Sequence, residues 1–227
     1  MAKKQQQPIV KDEPIALDVQ LNKGEAFIEK NWKIISAILG AVIVIVLGTY
    51  LFKNYMANRE VEAQKAIAAA QTAFASQQFE QALNGDGNTK GFVKIIDEFG
   101  GTETANLAKL YAGLASAKLD KVDDAIKYLE DFSAKDDKMV SPTAIAALAN
   151  CYVQKGDNEK GASMLIKAAE KADNDATSPV FLLQAGQIYE SLGNNEKAVE
   201  LYNKIKKQYF RSMLSQDIDK YIERATK

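Results

Sequence analysis

Apolar residues follow two different patterns along this chain. Residues 34–52 form an uncharged run in which fifteen of the 19 positions are hydrophobic. From residue 53 onward, apolar positions are spaced three and four apart in segments rich in Ala, Leu, Lys and Gln, which is typical of amphipathic helices. No segment there alternates apolar and polar residues over the length of a strand. The pattern predicts an all-α chain, with one N-terminal transmembrane helix followed by an α-solenoid of helical hairpins.

The uncharged run has the length and the flanks of a membrane span. A helix over residues 34–52 is about 28 Å long, close to the hydrocarbon thickness of a bilayer. Trp32 and Lys33 precede it, and Lys53 and Tyr55 follow it, as interfacial anchors would. The alternatives are a buried core helix and a cleaved signal peptide. A core helix rarely excludes charge for this long, and a signal peptide normally begins closer to the N-terminus.

Lysine distribution gives a weak indication of orientation. Residues 1–33 hold six lysines, whereas residues 53–85 hold only Lys53, Arg59 and Lys65, which favours a cytoplasmic N-terminus. The fifteen residues next to each end of the span carry three basic side chains each, so charge alone does not fix the orientation. The tail over residues 1–33 is rich in Gln, Lys, Glu and Asp, and we expect it to be partly disordered.

Composition narrows the chemistry that the chain can perform. It has no histidine and one cysteine, Cys151, which excludes Ser-His-Asp sites, His-ligated metals and internal disulfides. A formal net charge of -1 argues against nucleic-acid binding, which needs clustered basic residues. We therefore predict no catalytic, cofactor or metal site. An enzyme that uses a Ser-Lys pair or carboxylates in a polar pocket is the alternative.

A repeat organises the helical region. Two sets of small residues recur at spacings of 36 and 37: Gly113, Ala149 and Gly186, and Ala125, Gly161 and Ala198. We expect paired antiparallel helices to approach closely at these positions. Gly156 and Gly193 fall where a first helix must end in a left-handed residue. The segments ALANCYVQKGDNEKGASMLIKAA and LQAGQIYESLGNNEKAVELYNKI align closely, and the pattern resembles the tetratricopeptide repeat.

This resemblance divides the chain into segments. Residues 106–214 would hold three repeats, and residues 215–227 a capping helix that covers the last hairpin. Residues 53–105 would form a helical neck and a degenerate helical pair.

In such an array the first helices line a concave surface that binds proteins. The resemblance implies nine partner-binding residues on it: Leu107, Leu110, Leu114, Lys118, Asn150, Gln154, Leu183, Gln187 and Glu190. Leu110 and Leu114 could equally belong to the core between helices. The lining is mostly apolar or neutral, and it lacks the cluster of Lys and Arg that clamps a C-terminal carboxylate in chaperone-binding repeats.

The layout as a whole resembles the YfgM-like family of bacterial inner-membrane proteins. The similarity is carried by KNWKIISAILGAVIVIVLGTYLFKNY, which runs into a long polar helix, and by GTETANLAKLYAGLASAKLDKVDDAIKYLEDF. The resemblance implies a single-pass inner-membrane protein with a periplasmic domain. It also implies a noncatalytic ancillary subunit of the SecYEG translocon, which associates with a PpiD-like membrane-anchored chaperone and assists emerging secreted polypeptides. A scaffold subunit of another cell-envelope assembly complex is the alternative.

Overall fold

The computed structural model describes residues 16–227, including the side chains of Glu25 and of residues 27–227. Within this range the chain forms helices, with one isolated bridge between Gly85 and Lys90 and no strand, so the all-α prediction is confirmed. Residues 1–15, part of the tail predicted to be partly disordered, lie outside the described residues. The described helices are α1 (Ala16–Ala75), α2 (Phe79–Asn84), α3 (Phe92–Glu98), α4 (Glu103–Lys118), α5 (Val122–Glu130), α6 (Val140–Gln154), α7 (Asn158–Ala172), α8 (Ser178–Ser191), α9 (Asn195–Gln208) and α10 (Met213–Thr226).

The chain divides into two units, one up to Tyr55 and one from Met56 onward. The first unit contains the apolar part of α1, whose most apolar window has a mean hydropathy of 2.6 and no buried residue. Among the described residues, α1 is the one helix long and apolar enough to cross a membrane. It extends beyond the predicted span of 34–52 because the flanking residues are strong helix formers without proline.

Helical hairpins make up most of the second unit. The pairs α4–α5, α6–α7 and α8–α9 pack in chain order, and each pair contacts the next. The C-terminal helix α10 packs on α9 and α8, where it covers the end of the array. At the other end, residues of α1 from Ala63 to Ala73 pack with α2, α3 and α4. The predicted solenoid of hairpins is confirmed.

Glycines allow close approach and tight turns at the predicted places. A Cβ added to Gly186 would lie 2.3 Å from a ring carbon of Tyr202, whose side chain is fully buried. Gly156 and Gly193 have φ of 90° and 74°, the left-handed conformation expected at the end of a first helix. The first hairpin has Asp120 at the same point, with φ of 58°.

Three clusters of buried residues follow one another along the array. The N-terminal core joins α1, α2, α3 and α4 around Phe92 and Ile95. The middle core is small and consists of Leu110, Ala125, Leu129, Ala144 and Cys151. The C-terminal core joins α6 to α10 around Leu165, Leu182 and Tyr202. Each core depends on neighbouring hairpins, as in other repeat arrays.

Buried hydroxyl groups mark the starts of four helices in the second unit. Thr102 and Ser212 are N-caps, and their side-chain oxygens accept hydrogen bonds from Ala105 N and Ser215 N. Ser141 and Ser178 lie in the first turns of α6 and α8, and both are 0% exposed. Thr102 and Ser212 satisfy a backbone N–H at a helix start, which is costly when buried and unpaired. The Ser141 and Ser178 hydroxyls instead accept from Lys135 N and Asn174 N, and so hold the linkers that precede α6 and α8.

Replacing Ser178 with alanine is expected to lower the free energy of unfolding by about 1–3 kcal/mol. The Ser178 hydroxyl donates to Ala169 O at 2.8 Å and accepts from Asn174 N at 3.1 Å, and the substitution removes both bonds inside the protein. Urea unfolding of the full chain in mild detergent, followed by circular dichroism, measures the loss. Ser191→Ala is the matched control, because the exposed Ser191 hydroxyl makes only a local bond to Ile188 O. Equal losses in the two variants would contradict the prediction.

Candidate protein-binding face

Charge is distributed unequally between the two helices of each hairpin. The first helices are α4, α6 and α8; α6 has no charged residue among its 15, and α8 has only Glu190 among its 14. The second helices α5, α7 and α9 carry four, five and six charged residues. Solvated helices usually carry charge on their outer side, as the second helices do. The lack of charge on α6 and α8 therefore extends to positions that face solvent.

Exposed and half-buried residues of α6 and α8 form two stripes with helical spacing, and we call them together the first-helix face. It consists of Val140, Thr143, Ala147, Asn150 and Gln154 on α6, and Val180, Leu183, Gln184, Gln187 and Ser191 on α8. Every side chain in it is apolar or a neutral hydrogen-bonding group. Such a surface can be dehydrated against a partner without the cost of removing water from an ion.

The structure puts the predicted partner-binding residues in different environments. Lys118, Asn150, Gln154 and Gln187 are exposed. The remaining side chains are half-buried (Leu107, Leu114, Leu183 and Glu190), with the exception of Leu110. Leu110 is only 5% exposed and belongs to the middle core. Its side chain packs between α4 and the neighbouring helices, which corresponds to the alternative of a core position.

Glu190 is tied into the end of the array. Its carboxylate accepts from Tyr202 Oη at 2.5 Å and from Arg224 Nε at 3.0 Å. The Arg224 guanidinium lowers the pKa of Glu190, and burial followed by the Glu190 carboxylate raises the pKa of Tyr202. These bonds connect α8, α9 and α10. Glu190 therefore holds the capping helix in place, a role that its position in the repeat did not indicate.

Two cavities lie near the start of α4, and both are lined by charged as well as apolar side chains. A groove of about 400 Å³ runs between α1 and α4, lined by Ile67, Leu107 and the amides of Gln64 and Gln71 among others. A smaller pocket of about 290 Å³ lies beside it and includes Phe132 and Val140. Leu107 and Glu103 line both. The repeat pattern did not reveal either Ile67 or Phe132. Ile67 lies outside the three clear repeats, and Phe132 lies in the linker between α5 and α6.

The linker between α5 and α6 is held in position by Asp137. Its Oδ1 accepts from Met139 N at 2.9 Å, and its carboxylate also accepts from the Val140 and Ser141 backbone and from the Ser141 hydroxyl. Burial raises the pKa of Asp137, but these hydrogen bonds outweigh it and lower the pKa to about 2. The charged carboxylate therefore fixes the start of α6 beside the smaller pocket, which Asp137 also lines.

Stability should depend on pH through Asp137. Because its folded pKa of about 2 lies below the ordinary value, its contribution is present above about pH 4 and is lost as the pH falls toward 2. Allowing for screening by solvent, we expect Asp137→Asn to cost about 1 kcal/mol at neutral pH. The difference between the variant and the parent should close as the pH approaches 2. Urea unfolding at a series of pH values measures it, and a difference that is independent of pH would contradict the prediction.

The predicted anchoring residues lie at the two ends of the apolar part of α1. Trp32 and Lys33 precede it and Lys53 and Tyr55 follow it, and all four side chains are exposed. Exposed apolar residues lie all around the helix between them, with Val44 at 70% and Ile45 at 63%. Exposing such apolar side chains to water costs free energy, whereas exposing them to the hydrocarbon of a bilayer does not.

Reactive groups do not converge in the described part of the chain. No three His, Cys, Asp or Glu side chains there lie close enough together to hold a metal ion. Cys151 is buried in the middle core, and burial raises the pKa of its thiol, which keeps it in the neutral form.

Comparison with known proteins agrees with this arrangement. The sequence matches a tetratricopeptide repeat-like domain over residues 25–218, which covers α2 to α9, most of α1 and the start of α10. A comparison with curated proteins gave no match. Repeats of this kind are generally noncatalytic modules that mediate protein–protein interactions. Because the match covers most of its length, the chain belongs to the family of tetratricopeptide repeat-like domain proteins.

Proposed function

We propose that this protein is a noncatalytic, membrane-anchored subunit whose first-helix face binds segments of other proteins. The observation that carries the proposal is the absence of charge from the exposed side of α6 and α8, while the second helices are highly charged. An uncharged face accepts apolar side chains without an ionic desolvation penalty. The amides of Asn150 and Gln187 are exposed on it, and each can pair with the backbone of an extended polypeptide.

The membrane helix and the resemblance to YfgM-like proteins support the proposal that this activity belongs to the cell envelope. In this proposal α1 is a single span in the bacterial inner membrane, held at its interfaces by Trp32, Lys33, Lys53 and Tyr55. The N-terminus is cytoplasmic and the array is periplasmic. The partners are the SecYEG translocon, a PpiD-like membrane-anchored chaperone and emerging secreted polypeptides, which the array assists as an ancillary subunit.

Site-specific photocrosslinking in living cells tests the function. A photoreactive amino acid at Asn150 or Gln187 should capture translocon subunits, a PpiD-like chaperone or secreted polypeptides, identified by mass spectrometry. Asn195 and Gln208 are matched controls, because both are exposed and uncharged but belong to the second helix α9. If all four positions capture the same proteins equally, or if none of these partners is found at native expression, the proposal is wrong. Capture of another stable envelope complex instead would favour a scaffold.

Protease accessibility tests the orientation. Protease added to spheroplasts should digest the array while leaving the membrane span and the short tail protected. An array that resists protease until the membrane is opened would place it in the cytoplasm and overturn the proposed topology.

A charge placed on the first-helix face should weaken binding. Asn150→Asp and Gln187→Glu are close to isosteric, so the fold should be unchanged, but a bound segment must then cover two unpaired carboxylates. We expect the double variant to bind a permanently unfolded polypeptide at least about tenfold more weakly. Fluorescence anisotropy measures the affinity. Asn195→Asp with Gln208→Glu adds the same charges to α9 and should leave the affinity unchanged. Equal affinities of the two double variants would contradict the proposal.

A further inference from the structure

The turn between α9 and α10 exposes two large hydrophobic side chains. Phe210 is 64% exposed and Met213 is 88% exposed, the highest values for large hydrophobic residues in the unit that begins at Met56. Single exposed apolar side chains are common on protein surfaces. Here two lie three residues apart, in a segment that belongs neither to a core nor to the first-helix face. Their exposure is the first sign of a second binding surface.

Neighbouring residues hold this turn in place. Tyr209 and Ser212 lie on either side of residues 210 and 211. Their side chains are buried, with only 7% and 6% exposed. The Ser212 backbone N–H donates to Tyr209 O at 2.9 Å and closes the turn. The Ser212 hydroxyl accepts from Ser215 N at 3.2 Å and caps α10. Phe210 therefore projects into solvent from a turn with two buried supports, so its exposure is a property of the folded state.

Basic residues surround Phe210 and Met213. Residues 201–216 contain Lys204, Lys206, Lys207 and Arg211 and no acidic residue, in a chain with a formal net charge of -1. Lys204 is paired with Glu170 at 3.6 Å and Lys206 with Asp219 at 2.6 Å. Lys207 and Arg211 are exposed, and neither forms an ion pair with any described residue. The Arg211 guanidinium lies 5.5 Å from the centre of the Phe210 ring.

We propose that this turn surface, formed by Lys207, Phe210, Arg211 and Met213, binds the anionic surface of a phospholipid bilayer. Phe210 and Met213 would enter the boundary between headgroups and acyl chains, while Lys207 and Arg211 would contact lipid phosphates. Two exposed cations beside exposed apolar side chains, in a segment (201–216) without an acidic residue, match the charge and the apolar depth of an anionic lipid surface. The first-helix face shows the opposite composition. The turn surface therefore gives the tethered array a second contact with the membrane.

Depth-dependent quenching tests the proposal on the full chain in lipid nanodiscs. The chain has one tryptophan, Trp32, which lies next to the apolar segment of α1 and is replaced by phenylalanine. Phe210→Trp then reports on the turn alone. In nanodiscs of phosphatidylglycerol with brominated acyl chains, the fluorescence of this tryptophan should be quenched. The quenching should be lost at high salt, and also in nanodiscs of phosphatidylcholine alone with the same brominated acyl chains. Leu192→Trp in the same background is the control, since Leu192 is 43% exposed in the α8–α9 turn and should not be quenched.

Replacing Lys207 and Arg211 with neutral residues tests whether the contact of the turn with lipid depends on their charge. Lys207→Gln with Arg211→Gln, added to the Phe210→Trp reporter, should weaken the membrane contact about fivefold for each charge removed and abolish most of the quenching. Circular dichroism confirms that the array is still folded. Quenching that is absent in anionic nanodiscs, or that is equal in both lipids and in the glutamine variant, would overturn the proposal. Crosslinks from position 210 to protein instead of lipid in native membranes would also overturn it and identify a protein interface.

Discussion

Replacing Phe92 with alanine is expected to lower the free energy of unfolding by about 3–5 kcal/mol. Phe92 is 0% exposed in the N-terminal core, and its ring stacks on Tyr111 with centroids 5.2 Å apart. It also meets Phe74 edge-on, with centroids 6.3 Å apart. The substitution removes the apolar area and the ring contacts and leaves a cavity that the surrounding helices fill only in part. Urea unfolding of the full chain in mild detergent, followed by circular dichroism, measures the change.

Phe210→Ala provides the matched control for this substitution. The chemical change is the same, but Phe210 is 64% exposed, so we expect a change within about 0.5 kcal/mol. Similar losses for Phe92→Ala and Phe210→Ala would mean that the N-terminal core is not packed as described.

Replacing Leu165 with alanine is expected to cost about 2–5 kcal/mol. Leu165 is 0% exposed at the centre of α7, where it contributes to the C-terminal core. Leu192→Ala is the matched control, because Leu192 is 43% exposed and its loss should cost much less. The same unfolding measurement applies to both variants. A loss for Leu165→Ala no larger than that for Leu192→Ala would contradict the assignment of Leu165 to the core.

The two core variants should also differ in where they loosen the array. The small middle core, with five buried hydrophobic residues, lies between the N-terminal and C-terminal cores. Because stability in a repeat array comes mainly from contacts between neighbours, Phe92→Ala should raise hydrogen exchange mostly in α2 to α4, and Leu165→Ala mostly in α6 to α9. Mass spectrometry of deuterium uptake distinguishes the two patterns. A uniform increase throughout the array in both variants would show that the array unfolds as one cooperative unit.

The hairpin architecture was predictable from the sequence because its determinants are local. Gly186 packs against Tyr202 within one hairpin, sixteen residues away in sequence, and the same spacing of small and large residues recurs in each repeat. The turns at Gly156 and Gly193 depend on the backbone conformation of a single residue. Periodicity reports such short-range constraints directly. The uncharged segment of α1 was equally clear, since its signal is composition over a continuous run.

Features that join residues far apart in the chain were not predictable in this way. Glu190 meets Arg224, 34 residues later, across the junction with the capping helix. Leu110 has the spacing of a face residue, but the packing of α4 against its neighbours buries it. The groove beside Leu107 depends on how α1 approaches α4, which the pattern of apolar residues does not specify. Each of these depends on tertiary packing, which overrides a positional rule taken from a single helix.

The buried Ser-Pro pairs at the starts of α6 and α8 make the array extensible. Ser141-Pro142 and Ser178-Pro179 are 37 residues apart, and both serines are fully buried. A second copy of residues 141–177 inserted before Ser178 would begin and end at a buried Ser-Pro pair, and it would add one new interface, between α7 and the copied α6. Each insertion would add one more uncharged stripe to the first-helix face. If the first-helix face binds polypeptide segments as proposed, the length of segment that the array holds would increase by one hairpin with each insertion.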